Sequence, residues 1–121
     1  MNYSVYRVSL DIHDVGASFA LNLKSEDTQR QIHATLMEKG SPYEITEDVS
    51  ADIATKLPDG SVVKEGCTIK DNVIIYEMSE QVSAVSGKAT CEFILTDTSG
   101  HRLTTPGFCL IISPNIGGEQ A

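Results

Sequence analysis

Apolar and polar residues alternate along most of this 121-residue chain, and turn residues separate the alternating segments. A period of two places successive side chains on opposite faces of a strand, so each segment predicts a half-buried β-strand. The segments are 6–12, 19–23, 51–57, 61–63, 73–76, 89–96 and 108–112. Several short strands at this spacing, with turns between them, predict an all-β domain, with a β-sandwich as its architecture.

Four turns are predicted between the strands, at residues 40–42, 58–60, 71–72 and 97–100. The second is the strongest signal, because Pro58 presets φ and Gly60 can adopt the left-handed conformation. The last residues, 115–121, are polar and glycine-rich. They predict a linker that follows a single domain at 1–114.

The segment 25–40 fits two structures equally well. Ser25 could cap a helix, Gly40 could end one, and Ile32 and Leu36 fit a helical stripe. Ile32, Ala34 and Leu36 also alternate with polar residues, as in a strand. The pattern alone leaves helix and strand open here.

Composition narrows the class of protein. Hydrophobic residues make up 40% and charged residues 21% of the chain, as in an ordinary folded domain. The 17 acidic and 9 basic residues give a net charge of −8, which disfavours nucleic acid and anionic membranes as partners. No apolar run approaches the ~18 residues of a membrane span. The N-terminus carries no signal-peptide pattern, so synthesis in the cytoplasm is expected.

The cysteines Cys67, Cys91 and Cys109 are widely spaced and form no C-x-x-C pair. They are expected to be reduced, buried thiols that act as small hydrophobes. A disulfide between Cys91 and Cys109 across a hairpin is the alternative, which a cytoplasmic site of synthesis disfavours.

No residue is predicted to be catalytic, to bind a cofactor or to ligate a metal. His13, His33 and His101 have no partner at metal-ligand spacing. The sequence lacks the nucleophile elbow and both glycine-rich phosphate loops. One acidic stretch lacks the alternation of a calcium loop and predicts a solvated loop instead; its residues are Glu44, Glu47, Asp48 and Asp52.

The order of short motifs resembles the N-terminal domain of the baseplate upper protein of tailed phages that infect Gram-positive bacteria. The resemblance covers about residues 3–114. It is carried by 6–12 (YRVSLDI), 26–28 (EDT), 32–36 (IHATL), 40–43 (GSPY), 56–60 (KLPDG), 73–76 (VIIY), 80–81 (EQ), 86–87 (SG) and 104–108 (TTPGF). Each motif alone is weak, whereas their shared order and spacing are more specific. Family members usually continue into helical linkers and fibre or receptor-binding modules, and this chain ends soon after the domain.

The resemblance implies an immunoglobulin-like antiparallel β-sandwich, with residues 29–37 as a strand. It implies a structural, non-enzymatic module without cofactor, in the tail baseplate of a phage or prophage virion. Such a module docks a receptor-binding or fibre assembly to the baseplate core through non-covalent contacts. Its expected partners are other tail proteins and, in the full-length protein, further copies of itself.

Two other functions remain open at this stage. The first is a carbohydrate- or surface-binding module that uses Tyr3, Tyr6, Tyr43 and Tyr76 as a platform, which the absence of Trp disfavours. The second is a small hydrolase, for which no converging titratable groups are visible. Loops at sandwich ends are the usual place for binding, so any contacts are expected around Asp59-Gly60 and at 97–102, although plain solvated turns are the favoured explanation of these residues and none of them is assigned to a site.

Overall fold

A computed structural model describes residues 4–14, 19–25, 28–114 and 116 of the chain. Within them the protein is all-β, as predicted, with ten strands and one four-residue helix. The elements are β1 Ser4–Asp11, β2 Ala20–Lys24, β3 Arg30–Glu38, β4 Ser41–Pro42, β5 Val49–Lys56, β6 Val62–Lys70, β7 Val73–Glu77, α1 Glu80–Ser83, β8 Gly87–Asp97, β9 Arg102–Thr104 and β10 Phe108–Ser113. The predicted linker at 115–121 lies outside the described residues, apart from Ile116.

One long strand joins two sheets. The strand order is β1-β3-β7-β6-β5-β8-β10-β2, with β4 beside β3 and β9 beside β8. The first part of β6 pairs with β5, and its last three residues pair with β7. We call the sheet of β1, β3, β4 and β7 the first sheet, and that of β5, β8, β9, β10 and β2 the second. The strand β6 therefore passes from the second sheet into the first.

Two of the strand pairs are parallel. β1 lies parallel to β3, and β2 lies parallel to β10. The prediction of a wholly antiparallel sheet is wrong at these two pairs. The chain leaves the first sheet after β1, adds β2 to the second sheet, and returns as β3 beside β1. Because this connection crosses to the other sheet and back, β1 and β3 run in the same direction, whereas a hairpin would make them antiparallel. The immunoglobulin-like assignment stays a prediction.

The ambiguous segment forms strand β3. Ile32, Ala34 and Leu36 are fully buried, and the residues between them are half-buried. β3 lies between β1 on one side and β7 on the other, so both of its edges are paired. The strand implied by the resemblance is confirmed, and the helix alternative is wrong.

Two hairpins turn through two residues with positive φ. Asp71 (φ 51°) and Asn72 (φ 65°) join β6 to β7, which confirms the predicted turn. Lys39 (φ 50°) and Gly40 (φ 85°) join β3 to β4, one residue earlier than predicted, because Ser41–Pro42 pairs with β3. Such turns match the twist of the strands they connect.

Two further hairpin turns, also predicted, share a different motif. The N–H of Gly60 donates to the carbonyl of Leu57 (2.9 Å), and the N–H of Gly100 donates to the carbonyl of Asp97 (3.1 Å). Both glycines have φ near 90°. This is a type I turn closed by a glycine bulge, which explains why glycine stands at each fourth position.

The core lies between the two sheets. Alternate residues of the long strands are buried there, and three aromatic rings stack in one corner. Phe108 lies 5.4 Å from Phe19 and 5.8 Å from Phe93, measured between ring centroids. The largest fully buried side chains are Tyr76, Phe93, Phe108, Leu10, Ile32, Leu36, Ile53, Ile74, Leu110 and Ile112.

Candidate functional site

A groove of about 280 Å³ opens at the end of the second sheet where β5 begins and β8 ends. We call it the hairpin groove. One wall is the loop between β4 and β5, and the other is the hairpin of β8 and β9. Its apolar surface comes from Ile45, Val49, Leu95 and Leu103, with Tyr43 beside them. The charged and polar residues that line it are Glu44, Thr46, Asp97, His101 and Arg102.

Asn72 holds the loop wall in place. Its Oδ1 accepts a hydrogen bond from the N–H of Ile45 (2.7 Å), and its Nδ2 donates to the carbonyl of Tyr43 (3.0 Å). The N–H of Tyr43 donates to the carbonyl of Leu36 in β3 (2.9 Å). The turn between β6 and β7 therefore positions a loop that lies 27 residues earlier in the sequence.

Asp97 holds the hairpin wall in place. Its Oδ1 accepts hydrogen bonds from the N–H groups of Ser99 and His101 (both 2.9 Å). Its Oδ2 lies 3.0 Å from Nδ1 of His101. These bonds favour the charged carboxylate, and the one from the backbone N–H of His101 is the main reason that the pKa of Asp97 is lowered from its usual value of 3.8.

The variant Asp97→Asn should lose stability less steeply than the wild type as the pH falls below about 4. A carboxyl whose pKa is lower in the folded state stabilises the protein above the unfolded value of 3.8, and this contribution disappears as the pH falls through the folded value. Urea unfolding at several pH values between about 5 and 2 measures the slope. Equal slopes for wild type and Asp97→Asn would contradict the assignment.

The structure separates the two loops in which contacts were expected. Asp97, His101 and Arg102 line the hairpin groove. The Asp59-Gly60 turn lies at the other end of β5, and Oδ1 of Asp59 accepts bonds from the N–H (2.9 Å) and Oγ (2.6 Å) of Ser61. Both aspartates therefore stabilise their own turns. The wall at 43–48 was predicted only as part of a solvated acidic stretch, since no local signal ties it to β8.

The predicted burial is confirmed for Cys91 and Cys109, whereas Cys67 is only half-buried. All three thiols are free. Cys91 lies opposite Phe108 and faces the core, whereas Cys109 lies opposite Thr90 on the other face of the sheet. This register does not suit a disulfide. Burial raises the pKa of Cys91 to about 11 and that of Cys67 to about 12, so neither thiol is a ready nucleophile.

The histidines each have a polar neighbour and lie apart from one another. His13 Nε2 is 3.0 Å from Oε2 of Glu38, and His33 Nε2 is 2.9 Å from Oε1 of Gln31. Within the described residues, no three side chains of His, Cys, Asp or Glu are grouped so that they could hold a metal ion. No helix in that part of the chain is long and apolar enough to cross a membrane.

A tyrosine platform is not visible in the described part of the chain. Tyr76 is buried, and its hydroxyl donates to Oε1 of Glu65 (2.5 Å). Tyr6 is half-buried, and its hydroxyl accepts a hydrogen bond from Arg30. Tyr43 is half-buried in the hairpin groove, and Tyr3 lies outside the described residues. The carbohydrate-binding interpretation therefore loses the feature that would favour it.

The family model of the BppU N-terminal domain matches residues 6–121, which is nearly the whole chain. The chain belongs to this family. Among solved structures, the fold is similar to the "N-terminal domain of phage TP901-1 ORF48", with a TM-score of 0.73 and 17% identity over 90% of this chain and 98% of that one. No curated protein matches the chain.

Family membership confirms the resemblance drawn from the sequence motifs. The family is a structural domain of phage baseplates, so the chain has a structural role in a phage tail. Its place is the virion tail, where it interacts with other tail proteins.

Proposed function

We propose that this chain is a non-enzymatic assembly module, which docks a receptor-binding or fibre assembly to the core of a phage or prophage baseplate. The observation that carries the proposal is the match to the baseplate family over residues 6–121. The role needs a rigid scaffold that presents surfaces to neighbours, and the two joined sheets supply one. It requires no bond to be made or broken.

The surface of the domain suits non-covalent assembly. β1 and β2 end the strand order, and each pairs with one strand within the described residues. A free strand edge must be covered, charged or paired, and in an assembly a neighbouring subunit can cover it. The hairpin groove adds an apolar surface with charged walls, which is the composition of a protein interface.

The net charge of −8 favours a basic surface on the baseplate core and keeps the free subunit soluble. Attraction between exposed charges weakens as salt shortens the screening length from about 8 Å at physiological ionic strength to about 3 Å at 1 M. Docking to the baseplate core should therefore weaken as the salt concentration rises. Surface-immobilised tail proteins and the purified chain allow this measurement, and an affinity that does not depend on salt would contradict the charge argument.

Electron microscopy of the phage or prophage particles that encode the chain tests the role itself. Gold-labelled antibody against the chain should decorate the tip of the tail. Interrupting its coding sequence should give tails that lack the peripheral fibre or receptor-binding assembly, while a silent change at the same position should leave the particles complete. Complete tails in the interrupted strain, or label away from the tail tip, would refute the assignment.

A further inference from the structure

β1 is a long strand with one free edge. It runs over eight residues, Ser4–Asp11, ends the strand order and, within the described residues, pairs with β3 alone. It contains no proline, which would blunt the edge, and its charged residues are Arg7 and Asp11. The other strand that ends the order, β2, has five residues. β1 is therefore the longer of the two templates on which a further strand could form.

Every second residue of β1 points its backbone N–H and C=O away from β3. The N–H of Ile12, directly after β1, donates to the carbonyl of Met37 (2.9 Å), so the even-numbered residues bond to β3. In a parallel pair, the residues between them direct both of their backbone groups to the opposite side. The N–H and C=O groups of Val5, Arg7 and Ser9 consequently have no strand partner in the described part of the chain.

The core reaches this free edge. Val8 and Leu10 are buried on the inner face of β1, whereas Tyr6 and Ile12 pack on the core but remain half-buried. On the outer face, 37% of the surface of Val5 is accessible. A strand added beside β1 would extend the first sheet, and every second side chain of it would cover Tyr6 and Ile12. The inner face of such a strand should therefore be apolar.

Arg7 determines the chemistry expected on the outer face of the added strand. It is exposed and, within the described residues, has no hydrogen-bond or ion-pair partner. Its neighbour in β3 is His33, and Asp11 already accepts hydrogen bonds from the backbone N–H groups of His13 and Lys39. The chain has 17 acidic and 9 basic residues, so an arginine left without a carboxylate on an open edge favours an acidic side chain from a partner.

We propose that β1 binds an extended segment of another tail protein as an additional strand, and that apolar and acidic residues alternate in this segment. The apolar side chains cover Tyr6 and Ile12, a carboxylate pairs with Arg7, and the backbone bonds to the free N–H and C=O groups of β1. The inference rests on the proposed function for the source of the segment, and it deepens that function by naming the surface and the chemistry of the partner.

The strands at the two ends of this chain do not have that chemistry. β2 carries Lys24 and no acidic residue. The acidic residue of β1 is Asp11, whose carboxylate already bonds to two backbone N–H groups. An edge strand from a second copy would therefore leave Arg7 without a free carboxylate, which favours a segment of a different protein.

A synthetic peptide of the same length as β1 tests the contact: eight residues of alternating valine and glutamate, blocked at both ends. Titration into the isotope-labelled chain should shift the NMR signals of β1. Amide exchange at Arg7 and Ser9 should slow, because their N–H groups become bonded. A peptide with lysine in place of glutamate should bind at least about tenfold more weakly, since it opposes Arg7. No binding of the glutamate peptide at about 1 mM, or equal binding of the two peptides, would overturn the proposal.

Proline substitution tests whether the backbone of β1 makes the contact. Ser9→Pro removes an N–H that faces away from β3, so the pairing with β3 is kept, and it should weaken binding of the glutamate peptide by at least about tenfold. Ser9→Ala keeps the N–H and should bind within about twofold of the wild type. Asn22→Pro is the matched control, because it removes an outward N–H from β2, and it should bind like the wild type. Circular dichroism checks that each variant folds. Equal losses in Ser9→Pro and Asn22→Pro would overturn the proposal.

A charge exchange tests the carboxylate contact and does not depend on proline being tolerated. Arg7→Glu should reverse the preference, so that the lysine peptide binds more tightly than the glutamate peptide. Lys70→Glu makes the same change of charge in β6, which β7 and β3 separate from β1, and should keep the wild-type preference. An Arg7→Glu variant that still prefers the glutamate peptide would overturn the proposal.

Sedimentation velocity without peptide distinguishes a second copy from a foreign segment. A wild type that associates with itself, and that Ser9→Pro makes monomeric, would show that a copy of this chain occupies the edge and would overturn the proposal. These measurements use no other tail protein and no phage particle, so their failure would leave the baseplate role standing. The microscopy described above could fail without affecting the peptide result.

Discussion

Replacing Phe108 with Ala should lower the free energy of unfolding by about 3–5 kcal/mol. The ring is fully buried and stacks between Phe19 and Phe93, so its removal leaves a cavity and two rings without a neighbour. β10, which Phe108 begins, is also the strand that connects β2 to the rest of the second sheet. Loss of packing at this position therefore weakens two strands at once.

Urea unfolding followed by circular dichroism measures this change. Phe108→Leu should cost less, because it keeps much of the buried volume, and it keeps the comparison measurable if the Ala variant does not fold. Val62→Ala, which truncates an exposed side chain, should change stability by no more than about 0.5 kcal/mol. A Phe108→Ala variant as stable as Val62→Ala would show that the aromatic stack is not part of the core.

Gly87→Ala should destabilise the protein by about 2–3 kcal/mol, and more than the same change at Gly100. Gly87 has a φ of 125°, a conformation that costs a non-glycine residue about 1–3 kcal/mol. A Cβ there would also lie 2.9 Å from Cγ and 3.1 Å from Cβ of Pro58. Gly100 has a φ of 90°, but no atom lies within 4 Å of the position that a Cβ would take, so Gly100→Ala measures the cost of backbone strain alone.

A double-mutant cycle separates the two causes. If Pro58 obstructs the new methyl group, Pro58→Ala should reduce the cost of Gly87→Ala, because it removes the closer ring atom. The same Pro58 change should leave the cost of Gly100→Ala unaltered. Equal costs for Gly87→Ala and Gly100→Ala would mean that the close approach of the β5–β6 turn to β8 contributes nothing.

The strands with one clearly buried face were predictable from the sequence. β1 and β8 alternate because one face packs on the core and the other faces outward. The turns around Gly60 and Gly100 were predictable because few residue types tolerate their backbone conformation. β3 was not predictable from its pattern alone, since its buried positions also fit a helical stripe and only pairing on both edges makes it a strand.

Other elements have weak local signals. The residues of β6 after Val63 are mostly half-buried or exposed, because the strand leaves one sheet for the other, so their sequence shows no clean alternation. β9 has three residues and α1 has four, which is too short for a periodic pattern. The position of each of these elements depends on the neighbouring elements that it contacts.

One wall of the hairpin groove was predictable from the sequence, and the other was not. The loop at 97–102 was predicted as a place for contacts, because loops at the ends of strands are exposed and available. Its opposite wall at 43–48 is some 50 residues away in the sequence and reaches the groove through Asn72 and the pairing of Val49 with Asp97. No local pattern contains that information.

The sequence by itself therefore determined the strand-forming segments, the turns and the acidic excess, since sterics, side-chain period and charge act over a few residues. The family resemblance was also visible there, in the order of motifs. Only the tertiary structure decided the two parallel pairs, the passage of β6 between sheets, the free edge of β1 and the hairpin groove. These depend on contacts between distant segments, which form because each sheet must bury its apolar face against the other.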